Sequence, residues 1–279
     1  MNNLLNNSRG VLFVATGEKY HQECIRSIKS LASIHDQIPV AVFTDVPEAF
    51  ASLACCQISI KKLDKPSHCF RDKIYGLLQS PFNQTLFLDS DTLVLQNTSG
   101  IFDLLERFDI AVAAETYYPH PISSVPNSFP EFNTGVVALN TSCPHVSDFL
   151  NNWLTVFIRD FTQADRPKHD QPSFREALYH SKLNICTISS EWNFHVAHPA
   201  LLNAGAQIKI LHTRLADNQL GQQILNITKA SRVFLPTASC LHPNRIGSPS
   251  RCFDFWLRVI AIPFRIWSNC RKSFLGGRC

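Results

Sequence analysis

Nothing in this chain marks it for export or for spanning a bilayer. The opening MNNLLNNSRG has no cationic start and no apolar core of signal-peptide length, so no signal peptide is expected. No run reaches the roughly 18 apolar residues that span a membrane as a helix. Charge is also scarce. Charged residues make up 17%, below the ~25% usual in globular domains, while hydrophobic residues are at the normal 45%, which excludes a disordered polyelectrolyte. No G-x-G-x-x-G follows a strand-like run, which disfavours a dinucleotide-binding oxidoreductase. The ten cysteines form no C-x-x-C pair and no regular spacing, and Cys55 and Cys56 are adjacent. They read as reduced thiols of a cytoplasmic protein rather than a disulfide framework. The triplet Asn83-Gln84-Thr85 fits a glycosylation sequon but leads into an apolar run, and it is taken as chance.

What remains is ordinary for a globular enzyme. The 279 residues fit one large or two small domains, enough to bury about three quarters of the unfolded surface. A net charge of +4 and a pI near 8.5 are too mild to indicate nucleic acid, which is not expected as a partner. They suit an anionic substrate or an anionic membrane surface.

The hydrophobic pattern alternates between two types of element. Val11 to Ala15 is a short apolar run that reads as a buried strand ending at Thr16-Gly17. Cys24, Ile25, Ile28 and Leu31 then recur at helical spacing, and Val40 to Phe43 reads as a second strand ending at Thr44-Asp45. Strand, helix, strand is a βαβ unit, the building block of parallel sheets covered by helices on both faces. Further along, Arg71 to Leu78 reads as a helix, Leu86 to Leu88 as a strand, Ile110 to Ala114 and Phe132 to Leu139 as strands, Val146 to Phe161 as a helix and Ile208 to Leu211 as a late strand. A loop at 117–130 carries four prolines. The expected fold class is α/β, with a mostly parallel central sheet flanked by helices. In such sheets ligands bind beyond the carboxyl ends of the strands, where Thr16, Gly17, Asp45, Asp89, Asp91 and His212 fall.

The sharpest feature is Leu86-Phe87-Leu88-Asp89-Ser90-Asp91-Thr92-Leu93-Val94. In extended chain, residues two apart share a side. Two carboxylates held together repel, and burial adds to the cost of their charge. A divalent cation removes both penalties, hard oxygen ligands suit Mg²⁺ or Mn²⁺, and such an ion keeps positions open for phosphate oxygens. A D-x-D that merely marks a solvated turn is the plain alternative.

This segment resembles the D-x-D of GT-A-fold (Rossmann-like) glycosyltransferases, especially the retaining family 8 of glycogenin and bacterial galactosyltransferases. Four further segments resemble that family in order: Arg71-Asp72-Lys73, Phe132-Asn133-Thr134-Gly135-Val136, Asp170-Gln171 and Leu211-His212. Together they span roughly residues 10 to 215. The resemblance implies a metal-dependent transfer of a hexose from a nucleotide-diphospho-sugar, a UDP-sugar, to a glycan, lipid or protein acceptor, with Mn²⁺ or Mg²⁺ held by Asp89, Asp91 and His212. It implies donor contacts from Ala15, Thr16, Gly17, Arg71, Lys73, Asp89, Ser90 and Asp91, and assigns Asn133, Asp170 and Gln171 to the reacting sugar. Gln171 stands where a nucleophile would be sought, and an amide is a poor one. A same-face substitution follows, in which the leaving phosphate takes the acceptor proton.

Two segments depart from that family. Where that family's first loop often carries acidic or amide residues that read uracil, this chain has Ala15-Thr16-Gly17-Glu18-Lys19, which leaves the nucleobase open. After His212 stands Thr213-Arg214 rather than glycine and a Lys-Pro-Trp stretch; Arg214 is assigned the missing phosphate charge, since a guanidinium suits a bidentate phosphate contact. Glu191-Trp192-Asn193 reads as a stretch that could face the acceptor. Plainer roles stand beside the assigned ones: Lys73 as a solvated helix lysine, Asp170 as a helix N-cap ahead of Pro172, His212 as a core histidine, Trp192 as packing. Two other functions stay open: a sugar-phosphate nucleotidyltransferase, which needs a Gly-rich basic loop that Ala15 to Glu18 does not supply, and a non-catalytic GT-A-like module that binds sugar or membrane.

The domain expectation is a catalytic unit over 1–245 and a tail over 246–279. In RCFDFWLRVIAIPFRIW (251–267), charges at 251, 254, 258 and 265 share one narrow helical face. Such a basic, aromatic segment suits a membrane interface, as a peripheral attachment on the cytoplasmic side, or packing on the domain or a partner.

Overall fold

The computed structural model describes residues 9–35, 37–53, 57–116, 119–162, 169–195 and 205–213, and the backbone of two short strands at 200–202 and 232–234. The chain divides into two compact units, Met1–Val196 with Ala200–Val233, and Ala197–Pro199 with Phe234–Cys279; the first carries the architecture that follows. The tail at 246–279 and Arg214 lie outside the described residues.

The first half alternates as its apolar pattern requires. β1 (Arg9–Ala15), α1 (Glu18–Ala32), β2 (Val40–Thr44), β3 (Ile58–Lys62), α2 (Arg71–Leu78) and β4 (Gln84–Leu88) follow in order. After β5 (Thr92–Val94) come α3 (Gly100–Leu104), β6 (Ile110–Ala114), β7 (Phe132–Asn140), α4 (Pro144–Thr162), α5 (Gln171–Tyr179) and β8 (Ile185–Ile188). The described chain closes with β9 (Phe194–His195), β10 (Ala200–Leu202), β11 (Ile210–His212) and β12 (Arg232–Phe234).

Seven strands form the central sheet in the order β3-β2-β1-β4-β7-β6-β8. All neighbours are parallel except β7, which runs antiparallel to both β4 and β6. The sheet is mostly parallel, as the pattern predicts, and the reversed β7 is what the pattern did not reveal. β5, β11 and β9 form a separate three-stranded sheet, and β10 pairs with β12.

Alternate side chains feed two cores. Val11, Phe13 and Ala15 of β1 pack with Cys24, Ile25, Ile28 and Leu31 of α1 and with Ile101 and Phe102 of α3. Leu12, Ala41 and Phe43 face the other way, onto Ile74 and Leu77 of α2, Trp153 and Phe157 of α4 and Phe174 of α5. Burial on both faces is why these strands are apolar without alternation. A fully buried arginine is anchored here too: Arg175 of α5 donates to the carbonyls of His120, Pro126 and Phe129 at 2.8–3.0 Å and so holds the proline-rich loop against the helix layer. Among the described residues no helix is long and apolar enough to cross a membrane.

Candidate active site

The D-x-D turn sits where β4 ends. The Asp89 N–H donates to the Gly135 carbonyl at 2.8 Å, continuing the β4–β7 ladder by one bond. Thr92 then folds back, its hydroxyl donating to the Asp89 carbonyl at 2.8 Å. That tight turn projects Asp89, Ser90 and Asp91 beyond the sheet. β5, immediately after, pairs antiparallel with β11, so that His212 lies opposite Thr92. His212 therefore arrives beside the carboxylates: its Nε2 is 3.2 Å from Asp91 Oδ1. One ligand atom from each of Asp89, Asp91 and His212 lies within 4.8 Å of the others.

The charge balance of this corner favours a cation. Burial raises the Asp89 pKa, and the Asp91 and Asp170 carboxylates add to that against the pull of Lys73 and His212. His212 is also raised: burial opposes its charge, but the hydrogen bond and field of Asp91, with Asp89 behind it, outweigh burial. Three carboxylates thus face one ammonium and one imidazole. Two hard carboxylates and one imidazole nitrogen are a donor set that Mn²⁺ or Mg²⁺ accepts.

Lys73 is no solvated helix lysine. It is 6% exposed, and its Nζ lies 2.8 Å from Asp170 Oδ2, 3.0 Å from Asp89 Oδ1 and 3.2 Å from the Thr134 carbonyl. Burial lowers its pKa, but Asp170 and then Asp89 outweigh that and hold it above the ordinary lysine value. Asp170 does occupy the N-cap position of α5, with Pro172 in the first turn. Its side chain caps nothing, however. It accepts from Lys73 and from the Thr134 hydroxyl, the latter at 2.8 Å.

A chain of side-chain amides runs away from the histidine. Asn193 faces His212 Nδ1 with its Oδ1 at 3.1 Å and donates through Nδ2 to Asn133 Oδ1 at 2.8 Å. Asn133 donates to Glu115 Oε1 at 2.6 Å, and Gln171 donates to the same oxygen at 2.9 Å. The antiparallel course of β7 is what returns Asn133-Thr134-Gly135 to the carboxyl end of β4.

These groups surround one cleft of about 330 Å³. Thr16, Lys73, Asp89, Ser90, Asp91, Asn133, Asp170, Gln171 and His212 all line it. Others among the sequence-derived candidates do not. Ala15 is packed in the core. Gly17 has φ of 100° and gives its N–H to the Asp45 carboxylate at 3.1 Å. Arg71 stacks its guanidinium over Tyr75, 5.7 Å from the ring centroid, and is not among the lining residues. Sequence reading missed Glu115 and Thr134, and it took Asn193 only as part of an acceptor-facing Glu191-Trp192-Asn193 stretch, whereas its amide meets Asn133 and His212. It also missed Asp72, which lines the cleft and accepts from the Thr16 hydroxyl at 2.8 Å and from the backbone N–H groups of Ser67 and His68 at 2.8 Å. The only local signal for Asp72 was its place between Arg71 and Lys73.

Solved structures similar to this chain share this architecture. The glycosyltransferase GlyE of Streptococcus pneumoniae TIGR4 matches with 17% identity and a TM-score of 0.56, over 77% of this chain and 57% of GlyE, so the chain spans little more than half of that protein. The galactosyltransferase LgtC, solved in complex with donor and acceptor sugar analogues, matches with 14% identity and a TM-score of 0.54, over 74% of this chain and 87% of LgtC. Mouse xyloside xylosyltransferase 1 matches with 14% identity and a TM-score of 0.51, over 75% and 98%. No curated protein sequence matches. The shared fold is GT-A, and the profile of glycosyl transferase family 8 covers residues 1–212. A match of that extent, on a fold that independently agrees, places the chain in a family: it belongs to glycosyl transferase family 8.

Proposed function

We propose that the protein transfers a hexose from a nucleotide-diphospho-sugar, a UDP-sugar, to an acceptor hydroxyl, with a divalent cation at Asp89, Asp91 and His212 and with retention of anomeric configuration. The observation that carries this reading is the convergence of those three side chains, within 4.8 Å, at a cleft that also holds a buried ammonium. When bound, Mn²⁺ or Mg²⁺ supplies electrostatic stabilisation of the diphosphate that leaves.

The chain's own residues do the rest. Lys73, fixed by Asp170 and Asp89, adds a preorganised positive charge near the leaving phosphates, and such charge needs no reorganisation as the bond breaks. Asn133, Glu115 and Gln171 form a linked polar wall suited to sugar hydroxyls. Gln171 offers an amide where a carboxylate nucleophile would stand. The substitution therefore proceeds on one face of an oxocarbenium-like sugar, and the departing phosphate oxygen takes the acceptor proton. LgtC, a galactosyltransferase of this fold solved with donor and acceptor sugar analogues, supports sugar transfer by such a fold. The acceptor is a glycan, lipid or protein hydroxyl. The 246–279 segment, whose basic and aromatic pattern supports it, attaches the protein peripherally to the cytoplasmic face of a membrane; equal liposome binding after its deletion would remove that part.

The test is donor hydrolysis by the full chain with a panel of nucleotide-sugars, with Mn²⁺ and with chelator. Metal-dependent hydrolysis of a UDP-sugar is expected, releasing a sugar of unchanged anomeric configuration by NMR. An inverted product would refute the stereochemistry. No turnover and no metal-dependent nucleotide binding would leave a non-catalytic GT-A module, the alternative that the Thr213-Arg214 departure favours.

A further inference from the structure

Asn193 follows a short 3-10 turn, Ser190–Trp192, and is buried. Both ends of its amide are engaged, and the polarity of the chain it joins is fixed by groups with no choice. The Gly135 backbone N–H can only donate, and it meets Asn133 Oδ1 at 2.9 Å. At the other end of the same amide, Nδ2 meets a Glu115 carboxylate oxygen. Asn133 is thereby oriented from both sides. The Asn193 atom facing Asn133 Oδ1, at 2.8 Å, must then be the N–H end. Its oxygen is left facing His212 Nδ1, and that nitrogen must carry a proton.

The imidazole has little other freedom. A Cβ on Gly135 would fall against its Cε1 and within 2.6 Å of its Nδ1, so the ring packs directly on the Gly135 backbone. The His195 ring meets it edge-on with centroids 4.7 Å apart. With position fixed, the tautomer is what remains to be set.

We propose that Asn193 is a positioning residue: the relay Glu115–Asn133–Asn193 holds His212 with its proton on Nδ1, so that Nε2, which faces Asp91, is the nitrogen open to a divalent cation. The inference rests on the reading of Asp89, Asp91 and His212 as the cation site. It also makes that site and the sugar-facing wall one continuous hydrogen-bonded chain, because Gln171 and Asn133 share Glu115 Oε1. Outer partners of this kind are commonly worth 10–100-fold in metal affinity.

The experiment is Mn²⁺ binding to the full chain, read from the electron paramagnetic resonance signal of free Mn²⁺, for the wild type, Asn193→Leu, Asn193→Asp and Asp91→Asn. The leucine variant keeps the volume and loses the acceptor, and its affinity should fall about 10–100-fold. The aspartate variant still accepts from Nδ1–H but loses the N–H given to Asn133 Oδ1, so its affinity should fall less than that of the leucine variant. Asp91→Asn should abolish binding. Wild-type affinity in a folded leucine variant, or an aspartate variant as weak as leucine, would overturn the positioning role while the cation site stands. Undiminished binding by Asp91→Asn would overturn the cation site and this inference with it. If the leucine variant fails to fold, nitrogen-15 NMR of the His212 ring in the Zn²⁺-loaded wild type decides: a proton on Nδ1 is expected, and a proton on Nε2 would refute the relay.

Discussion

Replacing Lys73 with methionine preserves the length of the side chain and deletes its charge. In the wild type the ammonium neutralises Asp170, whose side chain is 4% exposed, and Asp89, whose side chain is 23% exposed. Removing one partner of a buried pair costs about 3–5 kcal/mol, because the other charge stays behind uncompensated. Asp89 opens toward the cleft and can rehydrate, so the lower end, about 3 kcal/mol, is the working figure. For a unit of this size each kcal/mol moves Tm by about 2–4 °C, giving a loss of about 6–12 °C near neutral pH. The sign with pH follows from which group is left. Lys73 has a raised folded pKa, so its contribution is whole below the unfolded value of about 10.4 and is lost only as pH climbs through the folded one. In the variant Asp89, whose folded pKa burial already raises, loses the Lys73 charge that pulls it down and rises further. The penalty on its charge is full above that folded value and shrinks as pH falls through it toward the unfolded value of about 3.9. Thermal melts of both proteins from pH 5 to 9, with chelator present, should show a gap that narrows toward pH 5. A gap below about 1 kcal/mol, or one that does not change with pH, would refute the buried-pair account.

Other substitutions probe other links. Gly135→Ala places a methyl against the His212 ring; overpacking of this kind costs about 1–3 kcal/mol, and Mn²⁺ affinity should fall as the imidazole is displaced, so unchanged Mn²⁺ titrations would contradict the close approach. Asp45 accepts from His21 Nε2 at 2.7 Å and from Gly17 N–H. Burial opposes its charge, but these bonds hold its pKa below the ordinary value. Its stabilisation is present above about pH 3.9 and is lost as pH falls below that. Asp45→Asn should flatten the acid end of the stability profile, and an unaltered acid limb would count against it. Arg175→Leu frees the carbonyls of His120, Pro126 and Phe129; hydrogen exchange across 119–130 should accelerate, and equal protection would show that the loop is held by other contacts.

Much of this molecule is written in local pattern, and the exceptions have physical causes. β1, β2, β4 and β6 are apolar runs because both faces of the sheet are covered, and α2 runs from Arg71 to Leu78 as its spacing predicts. β3 has no such signature: at the sheet edge it reads ISIKK, with exposed residues along it. β5 and β9 are too short to show a period. The late strand was expected at Ile208–Leu211 and lies at Ile210–His212, because pairing with β5 defines it rather than its own hydrophobic limits. Arg71 and Lys73 are alike in the sequence. Two residues apart on a helix, they face different surroundings, so one stacks on Tyr75 and the other enters the cleft.

The sequence by itself determined the layers, the D-x-D turn at the end of a buried strand, and the residue types able to hold a cation and a diphosphate, since burial and turn chemistry are local properties. Only the tertiary structure decided which of those residues meet. The reversed course of β7 brings Asn133 and Thr134 back beside Asp89, the β5–β11 pairing carries His212 to Asp91, and Glu115 and Asn193 join the site through side-chain hydrogen bonds. Such contacts depend on strand direction and register between distant segments, which no local pattern encodes.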